Sequence, residues 1–289
     1  MKTFFCAVIL LTLISVGCEN DELLLAPDAS GQPDHYDAPR QPDHYGGARR
    51  LDYYTESFEM PGSEFQPQTK VQYEYDSAGR VSKYTAYGFN LDSNSLEEQR
   101  YFVFSYKSEQ VHKIMGYLSD ATSPYLEYSY EYLPDGRITK IEEDNHAAGV
   151  TSEANFHYDN PNQVIRVLYT YSNGAGFEYE FKYIGENILS DKVTRGSELC
   201  SNGQYTYDGH INPFSNLGYW DYTLTNLPVN NRLTENVNHV NCSFPSLVPE
   251  SYSYEYDAQG YPILAIVNYK SGRNPIRGRK EFFYLDNRQ

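Results

Sequence analysis

The phrase "YEYDSAGRVSKY" at residues 73–84 returns as "YEYLPDGRITKI" from Tyr130 and as "YEYDAQGYPILA" from Tyr254. A chain that repeats a phrase of this size is an array of one supersecondary unit, each copy burying its apolar face against the next. The unit itself is legible from parity. In "LEYSYEY", Leu126, Tyr128, Tyr130 and Tyr132 share one face while Glu127, Ser129 and Glu131 share the other, the period of two of a strand. The same alternation runs through Val71, Tyr73 and Tyr75, through Phe102, Phe104 and Tyr106, through Tyr179, Phe181 and Tyr183, and through Tyr252, Tyr254 and Tyr256. The last aromatic of each copy marks the register: Tyr75, Tyr106, Tyr132, Tyr158, Tyr183, Tyr207, Tyr256 and Tyr284. Successive spacings are 31, 26, 26, 25, 24, 49 and 28 residues, the 49 reading as two periods with one degenerate copy between.

Four places after the anchor stand Gly79, Gly136 and Gly260, with Asn162 and Asn187 in two other copies and Gln110 and Ile211 in two more. Glycine and asparagine accept the positive φ that closes a hairpin through a bulge. Asp76 and Asp257 suit the turn start, where a carboxylate bonds the backbone two residues on. Gly79, Gly136 and Gly260 are therefore read as turn residues with no catalytic part. Each copy is a hairpin, and the whole is an all-β fold. About sixteen antiparallel strands in sequential hairpin repeats form a curled single sheet or an open barrel-like shell. Ser, Glu, Lys and Asp opposite the tyrosines argue against a membrane-spanning barrel, which needs an outward apolar band.

The N-terminus has a different logic. Lys2, an apolar run from Phe4 to Val16 and then Gly17-Cys18 form the layout of a secretory signal, too short to span a bilayer. "ISVGC" resembles a bacterial lipobox, which implies removal of residues 1–17 and a lipid on Cys18. Glu19, Asp21 and Glu22 resemble an export tag for the outer cell surface. Residues 18–50, rich in Pro, Asp, Gly and Ala, read as a flexible tether, with "QPDHY" written twice, and 51–289 as the repeat domain. Asp34, His35, Asp43 and His44 are competent metal ligands, but ordering a tether to gather them is costly; slippage within a low-complexity linker is the plainer reading. Cys200 and Cys242 remain beyond the signal. An exported chain favours a disulfide between them, and two buried thiols are the alternative.

"YEYDSAGR" and "YEYLPDGR" resemble the YD, or Rhs-type, repeat, whose hairpins pave a shell. With "YDGHINPFSNLG" at 207–218, "PVNNRL" at 228–233 and the lipobox, the chain is also similar to a family of Gram-negative lipoproteins of unknown function. That resemblance implies a porin-like fold and an outer-membrane location facing the cell exterior. It brings no catalytic residue with it.

A formal charge of −16 repels phosphate backbones, so nucleic acid is not an expected partner, and neutral or cationic polymers suit the domain better than acidic ones. No Gly-x-Ser-x-Gly elbow, His-Glu-x-x-His helix or phosphate-cradling glycine loop is present. "EEDN" at 142–145 reads as a solvated acidic loop in preference to a carboxylate pair or a Ca²⁺ site, and no cofactor or metal is implied. The 30 tyrosines fall where the repeat needs them, as scaffold first and sugar-stacking platform second. The repeat lapses near 200–249, as a binding insertion or as a closure segment, and there stands the only tryptophan, Trp220, flanked by Tyr219 and Tyr222. Any ligand is expected at these three residues. The leading expectation is a non-enzymatic envelope lipoprotein, membrane-bound through its lipid, that binds a glycan or a surface protein. A purely structural envelope component and a hydrolase with its site in 200–249 are the alternatives.

Overall fold

The computed structural model describes residues 49–59, 64–160, 163–217, 219, 228–240, 242, 248–270 and 276–285. Sixteen strands follow one another: β1 Leu51–Glu59, β2 Gln66–Tyr75, β3 Val81–Asn90, β4 Ser95–Lys107, β5 Gln110–Leu118, β6 Leu126–Tyr132, β7 Ile138–Asn145, β8 Val150–Asn160, β9 Gln163–Tyr171, β10 Gly176–Ile184, β11 Asn187–Arg195, β12 Glu198–Ile211, β13 Asn230–His239, β14 Val248–Tyr256, β15 Pro262–Lys270 and β16 Ile276–Tyr284. Each pairs antiparallel with the next, and β1 pairs with β16 from Leu51↔Tyr284 to Glu59↔Arg277. The sheet is therefore a closed barrel, which leaves no unpaired edge strand.

The repeat phrase builds the hairpins at Gly79, Gly136 and Gly260 in the same way. In the first copy Asp76 N–H bonds the Arg80 carbonyl at 2.8 Å, Gly79 N–H bonds the Asp76 carbonyl at 2.9 Å, and Asp76 Oδ1 accepts from Ala78 and Arg80 N–H. Gly79, Gly136 and Gly260 have φ of +83°, +92° and +84°, where a Cβ is strained. Asn162 is outside the described residues. Asn187 opens β11, and the positive φ of its turn belongs to Gly185, so a shorter loop moves the left-handed residue upstream. Similarly, Gln110 opens β5 behind Ser108 at φ +57°.

Five of the eight anchor tyrosines stitch one hairpin to the one before it. Tyr75 Oη donates to the Leu51 carbonyl at 2.7 Å, Tyr106 to Val81 at 2.8 Å, Tyr132 to Val111 at 2.8 Å, Tyr158 to Ile138 at 2.9 Å and Tyr284 to Pro262 at 2.9 Å. The accepting residue is in each case buried and stands first or second in its strand. Arginine adds a second link: the Arg80 guanidinium, held by Asp76, lies 4.2 Å from the centre of the Tyr106 ring, and Arg137 lies 4.9 Å from that of Tyr158. Burial raises the Tyr132 phenol above its ordinary pKa and pushes Tyr158 up to about 12, so both remain donors at neutral pH.

Strand parity sorts the two surfaces of the wall. Tyr73, Phe102, Phe104, Ile114, Tyr130, Ile141, Ala154, Phe156, Val167, Phe181, Ala265 and Phe282 face inward and form the core. The outward face of β2–β11 is laced with cross-strand ion pairs: Lys83–Glu74 at 3.3 Å, Lys113–Glu127, Lys140–Glu153 at 3.4 Å and Lys192–Glu180 at 3.4 Å; within β7, Lys140 also pairs with Glu142 at 2.5 Å. Because Gly136 needs a backbone closed to a β-branched residue, Gly136→Val is expected to cost about 1 to 3 kcal/mol. A lowered urea midpoint at unchanged slope reports that loss, and an unchanged midpoint refutes it.

Candidate functional site in the barrel interior

Beyond β12 the chain leaves the wall. Asn212 sets the departure: its N–H bonds the Val229 carbonyl at 2.8 Å, its side-chain amide donates to the Pro228 carbonyl at 3.0 Å, and its Oδ1 accepts the Phe214 N–H at 3.0 Å. Asn230 fixes the return through a reciprocal pair with Asn187, at 2.9 and 3.1 Å. A 3₁₀ turn at Ser215–Leu217 then delivers Leu217, 2% exposed, to the core. The Phe214 ring packs edge-on against Tyr54 at 5.3 Å and Phe282 at 6.0 Å, while Tyr219 lies 4.7 Å from Phe104. Phe214 and Tyr219 thus pack against inward-facing rings of β1, β4 and β16.

Beside them the inner wall is charged. Arg232 Nη1 bonds Glu235 Oε2 at 2.8 Å, the Tyr252 hydroxyl donates to the same oxygen at 3.1 Å, and the Arg232 guanidinium lies 4.3 Å from the centre of the Tyr205 ring. Tyr205 Oη in turn donates to Asp191 Oδ1 at 2.9 Å, and Gly203 leaves the space the phenol occupies. Partial burial raises the Tyr207 phenol above its ordinary pKa against the opposing pull of the Arg232 guanidinium. Burial raises the Asp191 carboxyl above its ordinary pKa against the opposing pull of the Tyr205 hydrogen bond. Burial likewise raises Tyr205 and Tyr252, next to these carboxylates. Further along the inner face Lys280 pairs with Glu56 at 3.2 Å. Two carboxylates around one guanidinium and several phenols hold one another, with Asp191 the group readied to keep a proton.

Sequence reasoning passed over Asp191, Arg232 and Glu235. A signal existed for Asp191, which shares strand parity with buried Val193 and so points inward where other copies carry an apolar residue. Arg232 and Glu235 gave none, because a register shift between Thr206 and Tyr207 on the facing strand realigns β13.

The other expected residues lie as follows. Cys200 and Cys242 are joined by a disulfide that brackets the excursion between β12 and β13. Tyr219 is against the core, whereas Trp220 and Tyr222 lie outside the described residues, as do residues 1–17, Cys18, most of the tether and both "QPDHY" copies. Glu142, Glu143, Asp144 and Asn145 end β7, a strand and not the acidic loop the sequence implied, because the pairing with β8 runs through Asn145↔Val150. Glu142, Glu143 and Asp144 line a groove of about 480 Å³ together with Glu127 and Glu153. Among the described residues no group of three or more His, Cys, Asp or Glu is arranged to hold a metal.

No protein-family model matches the chain, and no curated protein matches it. A solved structure does: a porin-like protein from Bacteroides uniformis, 16% identical, covering 81% of this chain and 98% of its own, with a TM-score of 0.56. That likeness shows a shared porin-like fold. TcdB2-TccC3 aligns over 76% of this chain and 14% of its own at 12% identity, and its TM-score of 0.32 is too low to carry an argument.

The raised Asp191 pKa has a definite sign. The folded chain binds this proton more tightly than the unfolded chain, so Asp191 lowers stability as pH rises from the unfolded value near ~3.9 through the folded one. Asp191→Asn cannot ionise, so its stability relative to the parent is expected to rise from pH 4 to pH 7. Urea midpoints at the two pH values check this, and a constant difference refutes it.

Proposed function

We propose that the protein is a lipid-anchored component of the outer membrane whose barrel stands outside the bilayer, facing the exterior, and binds a glycan or a surface protein without catalysis. One observation carries the reading: the outward face of the wall carries cross-strand ion pairs at Lys83–Glu74, Lys113–Glu127, Lys140–Glu153 and Lys192–Glu180. A lysine or arginine facing lipid costs about 2 to 4 kcal/mol at the bilayer midplane, so a wall bearing these pairs belongs in water. The inside supports the same reading, since Phe214, Leu217 and Tyr219 occupy space that a conducting pore leaves open. Attachment then falls to the N-terminus, where "SVGC" offers Cys18 for lipid and Glu19, Asp21 and Glu22 favour surface export.

Metabolic labelling tests the anchor. The parent chain is expected to incorporate labelled palmitate and to sediment with membranes, and Cys18→Ala to do neither. Palmitate on the variant would overturn the assignment. Conductance steps from the full lipidated chain in planar bilayers would overturn the position of the barrel.

A further inference from the structure

The outward face is not polar all the way round. Among the described residues, β6–β15 turn no tyrosine, phenylalanine or tryptophan outward, their rings being on the inner face or in turns. On β16, β1, β3, β4 and β5, by contrast, outward positions carry Phe283, Tyr53, Tyr87, Tyr101 and Tyr117. Their orientation follows from pairing: Tyr53↔Phe283 adjoins the core pair Tyr54↔Phe282, and Tyr101↔Tyr117 adjoins the inward pair Phe102↔Gly116. These rings do nothing for the core.

They are arranged as a strip. Tyr53 and Phe283 stack at 4.2 Å and 14°, and Tyr101 and Tyr117 at 5.0 Å and 11°, so both pairs present flat faces. Lysines stand between the pairs. Lys70 Nζ lies 4.4 Å from the centre of the Tyr53 ring and 5.5 Å from that of Tyr87, and Lys83 Nζ lies 5.0 Å from that of Tyr101. Lys83 is neutralised by Glu74. Lys70 bonds the Gln72 side-chain oxygen at 3.0 Å and, among the described residues, has no carboxylate partner. From β16 to β5 the strip crosses five interstrand steps of about 4.8 Å, roughly 24 Å in all.

We infer that this strip is a binding site for a linear glycan of pyranose sugars, which rests on the glycan reading above and gives it a place. Aromatic rings present a negative face, to which the C–H groups on the flat side of a pyranose are attracted. An ammonium flanked by two rings, with no carboxylate partner among the described residues, supplies donors to a sugar hydroxyl or uronate oxygen. Two flat platforms separated by such a donor match a polymer that offers apolar faces and oxygen acceptors in alternation along its length. The local cation also reverses the expectation from net charge. Within a Debye length of about 8 Å, Lys70 governs what approaches, so neutral or acidic sugars are favoured over cationic ones. A bilayer is the poorer occupant, because the tyrosines lie half-buried against the sheet and each other, with none projecting to insert.

The test uses the full chain titrated with neutral β-1,4-linked hexasaccharides, a galacturonate hexasaccharide and a glucosamine hexasaccharide. The parent is expected to bind a neutral or galacturonate member, Tyr53→Ala and Tyr101→Ala each to weaken it at least tenfold, and Lys70→Met to weaken it several-fold. Tyr53→Phe, which keeps the ring, is expected to bind like the parent, as is Lys192→Ala on the opposite part of the wall. Thermal melting of each variant separates lost binding from lost folding. Should Tyr53→Ala not fold, Tyr53→Leu, which keeps apolar bulk without a ring, is expected to show the same tenfold loss. Sugar binding by the parent that survives in the ring variants would overturn the strip and leave the glycan reading standing. Binding of no sugar would overturn both. Binding of the Cys18→Ala chain to phosphatidylethanolamine–phosphatidylglycerol vesicles, lost in the ring variants while no sugar binds, would assign the strip to a membrane instead.

Discussion

The hydrogen bond from a repeat tyrosine to the carbonyl at the start of an earlier strand is the contact on which this barrel depends. A hairpin alone is marginal in water and buries little. Here five hairpins reach across to their predecessors through Tyr75, Tyr106, Tyr132, Tyr158 and Tyr284, over sequence separations of 20 to 25 residues. A phenol suits this position because its ring supplies apolar area to the core while its hydroxyl satisfies a carbonyl that burial has cut off from water. Arg80 on Tyr106 and Arg137 on Tyr158 cover the same rings from the solvent end. Repetition of that unit, with β1 completing the circuit against β16, removes every sheet edge.

Closure creates an inside that must be filled. Over most of the wall the inward tyrosines, phenylalanines and β-branched residues suffice. Near β12 and β13 they do not, and two devices appear together: the excursion that brings Phe214, Leu217 and Tyr219 into the core, and the charged set of Asp191, Arg232 and Glu235 with their phenols. The asparagines of "INPF" and "VNN" make the excursion possible by bonding the backbone where it leaves and rejoins the wall. The disulfide between Cys200 and Cys242 brackets it covalently. The irregular segment is thus built into the interior, while the outer wall carries an aromatic strip on the far side of the same sheet from the core.

What the sequence by itself determined is everything that depends on neighbours along the chain. Parity places Tyr128 and Tyr130 on one face and Glu127 and Glu131 on the other; Gly79, Gly136 and Gly260 mark turns; and the spacing of the anchors counts the hairpins. Strand period and positive φ are local properties, so they survive in one dimension. Closure of the sheet, the direction of residues 212–219 and the meeting of Asp191 with Tyr205 were decided only in the tertiary structure. Each depends on register, and a single shift such as that between Thr206 and Tyr207 reassigns the residues beyond it to the opposite face. Parity with Phe102 and Phe104 already turns Tyr101 away from the core, but only the pairing of β1 with β16 and of β4 with β5 sets Tyr53 on Phe283 and Tyr101 on Tyr117.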